Sequence, residues 1–405
     1  MDETSDQRTE TPRSNTRGER VSAPFVSTLA LSNLVTAFPI LITSLLLIEI
    51  SQSFGIEVGT ANQVRAVAST ASVVTGLAMG GLSVRYNHKA LFLAGLGLLG
   101  LSAVCCTFAP TFLVLLVAFG VYGVSQATVR PIAHALIGRF VTLQQRPKVT
   151  SYLIVGMASA YLVGSALTNV IDEWRLMFLA FLLPLIVATL LLAVISIPAT
   201  PTSRAARSQY RRAFTDVLFN RSALACLLGG VLYLMPTNAV LVSLSSSFFR
   251  QTYGVEKLFM SVAFIGCSII AIVGSLVSGR LVNRVGRKRL TALSAFLLGA
   301  FTLVFINVPN LWGALTVWLI AGFFTGSIRT SLASLTLEQA PDFRATMMSL
   351  SEVSLNLAQA LGNALAGILL LAFSYHVVSL MGLFAIIGTG IFHFFTRDPT
   401  RDVQH

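Results

Sequence analysis

Twelve long apolar runs dominate the sequence, near 24–50, 58–82, 90–109, 112–138, 150–171, 176–197, 222–249, 258–279, 290–308, 312–337, 346–372 and 376–395. A membrane-crossing helix needs about 20 mainly apolar residues. In lipid every backbone N–H and C=O must be satisfied within the protein, so only helices and closed barrels can span. Barrel strands would alternate in polarity over about 10 residues, and these runs do not alternate. The expectation is an all-α integral membrane protein with twelve transmembrane helices. Runs longer than 25 residues imply tilt or extension beyond the bilayer.

Charge is scarce and placed with purpose. Only 11% of the 405 residues are charged and 55% are hydrophobic, against about 25% charged in a soluble domain. The net charge of +12 would suit nucleic acid only if the basic residues gathered on one solvated domain. They lie instead in short loops between apolar runs, so no nucleic-acid partner is expected. The four cysteines, Cys105, Cys106, Cys226 and Cys267, sit inside apolar runs without a CxxC, and read as packing residues. Residues 1–23 lack the apolar core of a signal peptide and read as a disordered cytoplasmic tail.

Cytoplasmic loops collect Lys and Arg. An even number of helices puts both termini on one side, with the loops around Arg85 and Lys89, Arg139 to Lys148, Arg204 to Arg221, and Arg280 to Arg289. The opposite loops hold only Arg175, Arg250 and Lys257. Both termini are therefore expected in the cytoplasm, in a multi-pass protein of the cytoplasmic (inner) membrane. The domain plan is a bundle of six helices at 24–197, a basic linker at 198–221, a second bundle at 222–396 and a short tail at 397–405. The linker's basic run suits anionic lipid headgroups.

The two halves repeat. GGLSVRYNHKAL at 80–91 aligns with GRLVNRVGRKRL at 279–290, and QSFGIE at 52–57 with QTYGVE at 251–256. The same offset of 199 pairs Gly123 with Gly322 and Arg130 with Arg329. Parallel six-helix repeats are one of the designs of secondary transporters, with the solute site between them near the bilayer midplane.

The loop residues carry a resemblance. Gly279, Leu281, Arg284, Gly286, Arg287 and Lys288, echoed by Gly80, Leu82, Arg85 and Lys89, resemble the signature loop of the major facilitator superfamily, of the bacterial or archaeal type with twelve helices. Trp174, Arg175 and Phe178 at the start of the sixth run are similar to the family as well. The resemblance covers residues 24–396. It implies alternating access between two halves, with helices 1, 4, 7 and 10 lining the cavity. The loop carboxylate that helps latch the halves in the family is Val84 in one copy and Asn283 in the other. The arginine usual near the start of helix 4 falls at Leu116, and the Gly-Pro pattern of drug–proton antiporters is replaced around Gly164-Ser165-Ala166.

Charges inside the apolar runs mark function in membrane proteins. Arg130 and Arg329 sit at similar depth in the fourth and tenth runs and, in the family fold, should face each other. With at most one carboxylate nearby, Glu352, the cavity reads as basic, and guanidinium forks suit anionic groups. Gln126 and Thr325 each stand one helical turn before an arginine. Asn33, Tyr233, Asn238 and Asn356 complete the expected substrate-binding set. Glu352, on a polar stripe with Asn356, Gln359 and Asn363, is the candidate for proton coupling. His134 reads as a solvated side chain near the interface. Arg65 reads as snorkelling to the outer surface or serving an outer gate rather than contacting solute, with Glu49 as the candidate partner. Pro39 and Pro236 are expected to bend helices 1 and 7.

The reading is a secondary transporter for a small, anionic organic solute, with the proton as the candidate coupling ion, working as a monomer without cofactor. The competing reading is a drug–proton antiporter for hydrophobic or cationic compounds, which would favour an acidic cavity. The five histidines form no metal-spaced cluster and no Walker loop occurs, so neither an enzyme nor direct ATP driving is indicated.

Overall fold

The computed structural model describes residues 23–141, 146–171, 173–195, 214–340 and 344–397. The expected tails and most of the linker lie outside the described residues. Within them the chain is helical throughout, and its helices follow the twelve apolar runs in order. We number them α1 (Ala23–Leu45, continued by Leu47–Phe54), α2 (Gln63–Arg85, after a short turn at Val58–Ala61), α3 (His88–Thr107), α4 (Phe112–Phe140), α5 (Arg146–Leu167) and α6 (Trp174–Val194). The second half has α7 (Arg221–Pro236, Thr237–Leu244 and Ser245–Tyr253), α8 (Lys257–Val285), α9 (Arg287–Phe305), α10 (Leu311–Gln339), α11 (Arg344–Ala372) and α12 (Tyr375–Ser379 and Gly382–Phe395). Among the described residues, ten of these are long and apolar enough to cross a membrane.

The sequence repeat reappears as a repeat of caps. Thr111 and Asn310, 199 apart, accept the backbone N–H of Val114 and Gly313 at the starts of α4 and α10. Such caps satisfy orphan donors of the first turn. Gly55 and Gly254, also 199 apart, close α1 and α7 at φ +64° and +65°, a left-handed conformation that glycine adopts without a Cβ penalty. Packing repeats too. In the first half α1 packs on α5 and α6, α4 on α2 and α3, and α3 on α6; in the second, α7 packs on α11 and α12, α10 on α8 and α9, and α9 on α12. A Cβ on Gly123 would meet the Ala68 carbonyl at 1.9 Å; one on Gly322 would meet Cys267, the equivalent residue, at 2.6 Å. Small residues let helices approach closely where no hydrophobic driving force separates lipid from protein.

The two proline-bearing helices differ in form. After Pro236, α7 widens into a π-helix over Thr237–Leu244, a form that is rare and concentrates at functional sites. In α1 the break falls at Leu46, one residue past the α-helix that contains Pro39.

The halves join through α2 with α11 and α5 with α8, and their polar contacts gather at the end of the bundle far from the loops at 86–87 and 286. There Asn62 donates to the Asn363 carbonyl at 2.9 Å, Gln63 to the Ala364 carbonyl at 3.3 Å, and Thr168 and Ser261 share a hydrogen bond of 3.1 Å. Gly59 and Gly367 meet so closely that a Cβ on either would lie 2.6 Å from the other's carbonyl oxygen. Glu49 and Arg250 add an ion pair at the same end. At the opposite end the polar contacts of Lys89, Arg287 and Gln339 stay within one half.

Candidate functional site

The residues converge on a cleft between α1, α2, α4 and α11. It is narrow and is lined by Ile40, Thr43, Arg65, Ala68, Ser69, Phe119, Tyr122, Gln126 and Gln359. The first eight come from the first half and Gln359 from the second, so the cleft exists only where the halves meet.

Arg65 departs from expectation. It is 6% exposed, too deep to snorkel, and donates to the Ser44 hydroxyl at 3.0 Å. Its expected partner, Glu49, is paired elsewhere: both carboxylate oxygens accept from Arg250, at 2.8 and 3.0 Å. The start of α2 packs against α11, through Asn62 and Gln63, and Arg65 turns toward Ser44 of α1. No carboxylate pairs with Arg65 among the described residues.

Gln126 ties the cleft to Arg130. Its side-chain carbonyl, oriented by the donors around it, accepts from both terminal nitrogens of Arg130 at 3.0 and 3.1 Å. The one-turn spacing makes this possible, since positions four apart share a helix face. It leaves the Gln126 amide nitrogen as a donor beside the cleft. Arg130 is half-buried and lies within electrostatic range of Tyr122 and His134. His134, although exposed, also lies within electrostatic range of Glu352 on α11.

The second half contributes less. Arg329 is exposed and interacts with Tyr233 of α7. No hydrogen bond or ion pair joins Arg329 to Arg130 or Glu352 among the described residues. The Thr325 hydroxyl donates to the Ala321 carbonyl at 2.9 Å. The Asn33 and Asn238 amides donate back to the Leu29 and Leu234 carbonyls of their own helices. Tyr233 is buried against Phe392, with ring centroids 6.4 Å apart. Asn356 is buried with its side-chain oxygen unpartnered, one turn from Gln359 and one from Glu352. The expected site residues thus differ in placement. Gln126 lines the cleft and holds Arg130 and Glu352 acts on His134 across the halves, whereas Asn33, Thr325 and Asn238 bond within their own helices and Tyr233 and Arg329 lie in the second half.

Several of the loop residues have structural partners. Lys89 donates to the Ala193 and Ile195 carbonyls at 2.9 and 2.7 Å, which caps the end of α6 with positive charge. Arg287 pairs with Glu338 on α10 at 3.2 Å, and Gly286 turns at φ +93°. Arg85 stacks on Tyr86 at 5.8 Å, Arg284 is exposed and Lys288 half-buried. A Cβ at Gly279 would meet open space. Gly80 and Asn283 lie within α2 and α8.

Sequence reasoning noticed Arg65 as an intramembrane charge but not its inward face. It did not select Thr43, Ser69 or Tyr122, whose residue types are common helix-packing glue. The face that α2 turns inward depends on α11, from the other half, and no local pattern encodes that.

Known proteins support the architecture. The profile of the Major Facilitator Superfamily matches residues 23–260 and 226–405. The chain is 23% identical over 310 residues to the uncharacterized MFS-type transporter YceJ of Bacillus subtilis, covering 76% of this chain and 79% of that one. It is 29% identical over 160 residues to protein spinster homolog 1 of Bos taurus, covering 38% of this chain but only 30% of the relative. Among solved structures, a bacterial homolog of the human lysosomal transporter Spinster, in an inward-facing and unoccupied conformation, superposes with a TM-score of 0.76 at 16% identity, over 94% of this chain and 99% of that one. A D-xylose–proton symporter superposes at 0.75 with 15% identity, over 93% and 98%.

Proposed function

The chain belongs to the Major Facilitator Superfamily, and from that premise we propose that it moves a small organic anion across the cytoplasmic membrane by alternating access, coupled to protons. The observation that carries the anionic reading is Arg130. Its guanidinium is half-buried, held by the neutral carbonyl of Gln126, and joined to no carboxylate among the described residues. A charge inside a bilayer costs about 2.5–3.5 kcal/mol on insertion scales, so a cation kept without a counter-ion favours a ligand that brings one. Arg329 adds a second cation, and Glu352 is the carboxylate of the region among the described residues.

The proton reading rests on Glu352, half-buried and interacting with His134 across the halves. A carboxylate that gains and loses its proton while a solute competes for nearby arginines would couple the two flows. The D-xylose–proton symporter has the same fold, which is compatible with this reading but speaks to architecture alone. On the positive-inside rule the far end of the bundle, sealed by Glu49 and Arg250, faces outward. The described state is then open toward the cytoplasm, as is the similar bacterial Spinster homolog. Both termini lie inside, residues 24–197 and 222–396 form the rocking units, and the protein acts as a monomer in contact with lipid.

The test is solute counterflow in proteoliposomes. Saturable exchange of organic anions, reduced at least tenfold in Arg130→Ala, supports the reading. Exchange of amines and neutral drugs unaffected by that substitution overturns it in favour of the antiporter alternative.

A further inference from the structure

We infer that the cleft around Arg65 is the subsite that holds the carboxylate of the transported solute. This rests on the organic-anion reading above and assigns the head group and its anchor. Four observations carry it. Arg65 is 94% buried, as its 6% exposure gives, and lines a narrow cleft where the halves meet. One of its N–H groups goes to the neutral Ser44 hydroxyl at 3.0 Å. A guanidinium carries five donors in a rigid fork and stays charged, so Arg65 has donors and charge beyond what Ser44 satisfies. The remaining wall supplies the Ser69 hydroxyl and the Gln126 and Gln359 amides, with apolar Ile40, Ala68 and Phe119 between them.

The chemistry selects a carboxylate. One guanidinium lines the cleft, which a monoanion neutralises, while a phosphate dianion would leave a charge buried without a partner. The planar fork of arginine matches a carboxylate through two parallel hydrogen bonds. The cleft is narrow, so only a small head group enters it and the remainder of the solute projects toward Arg130. Gln126 stands between them, its carbonyl on Arg130 and its amide nitrogen beside the cleft. Because Gln359 comes from α11, an anion bound here touches both halves, and its arrival is felt by the elements that must move.

The experiment measures ligand affinity on the purified full-length protein by calorimetry and thermal shift. The probes are butyrate, chloride, inorganic phosphate and butylammonium at equal ionic strength. The variants are Arg65→Gln, the pocket-filling Ser69→Leu, and Arg130→Ala, each with helix content checked by circular dichroism. The assignment expects butyrate alone to bind saturably and to weaken at least tenfold in Arg65→Gln. If that variant fails to fold, the same loss is read from Ser69→Leu. Butyrate binding unchanged in Arg65→Gln or Ser69→Leu but weakened in Arg130→Ala overturns the subsite while leaving the anion reading intact. Equal binding of chloride or phosphate overturns the carboxylate assignment. Butylammonium bound in preference to every anion overturns both.

Discussion

Glu49 and Arg250 join the two halves through two hydrogen bonds, at 2.8 and 3.0 Å, and Arg250 also donates to the Leu45 carbonyl at 3.3 Å. The pair spans 201 residues of sequence and closes the end of the bundle away from the termini. Its side chains are only 17% and 22% exposed, so solvent screens it less than a surface pair. Breaking it should cost about 1–2 kcal/mol, between exposed and buried ion pairs. That is about a tenfold shift toward a state open at that end. Spin labels at the exposed positions Gln52 and Thr252 should report a longer distance in Glu49→Gln. The charge-reversed double variant, Glu49→Arg with Arg250→Glu, should restore the short one.

Gln126→Leu should release Arg130 from its carbonyl partner without changing the charge of the cavity. We expect solute affinity in counterflow to fall about tenfold, the worth of about 1.4 kcal/mol of positioning. Arg130→Lys should cost as much or more, because an ammonium cannot reproduce the two-pronged geometry held by Gln126. Equal affinity in Arg130→Lys would remove guanidinium geometry from the account.

Much of the architecture was legible in the sequence, and the reasons differ by feature. Run length gave the helices because lipid tolerates no other backbone. The offset of 199 gave the duplication, and it survives into structure as paired caps at Thr111 and Asn310. What was not legible needed a partner from the other half. Glu49 pairs with Arg250 and not with Arg65, since α1 and α7 meet only when the two halves dock. Asn33 and Asn238 looked like ligand donors, yet an asparagine in a helix can reach its own turn, and both do. The π-helix after Pro236 has no sequence periodicity that distinguishes it from a plain kink.

Glycine packing gives a graded stability prediction. Gly123→Ala places a Cβ 1.9 Å from the Ala68 carbonyl, which is backbone and cannot swing away. Gly322→Ala meets the Cys267 sulfur at 2.6 Å, which can rotate. Gly97→Ala meets nothing within 4 Å. Thermal unfolding in detergent should rank Gly123→Ala lowest, by about 1–3 kcal/mol of strain. Gly322→Ala should fall between. Gly97→Ala should equal or exceed the parent, since alanine is the better helix former.

Glu352→Gln should separate exchange from driving. Solute counterflow needs no net proton movement and should persist, whereas uptake driven by a pH gradient should fall to the level without a gradient. Full gradient-driven uptake in Glu352→Gln would assign proton coupling to another group.

The central claim is that the basic cavity selects an organic anion. The most direct measurement is counterflow in proteoliposomes of the full-length protein, comparing matched butyl carboxylate, ammonium and alcohol solutes in the parent and in Arg130→Ala. The account predicts saturable exchange of the carboxylate alone, lost at least tenfold in the variant. Exchange of the ammonium or the alcohol, with Arg130→Ala equal to the parent, would contradict it.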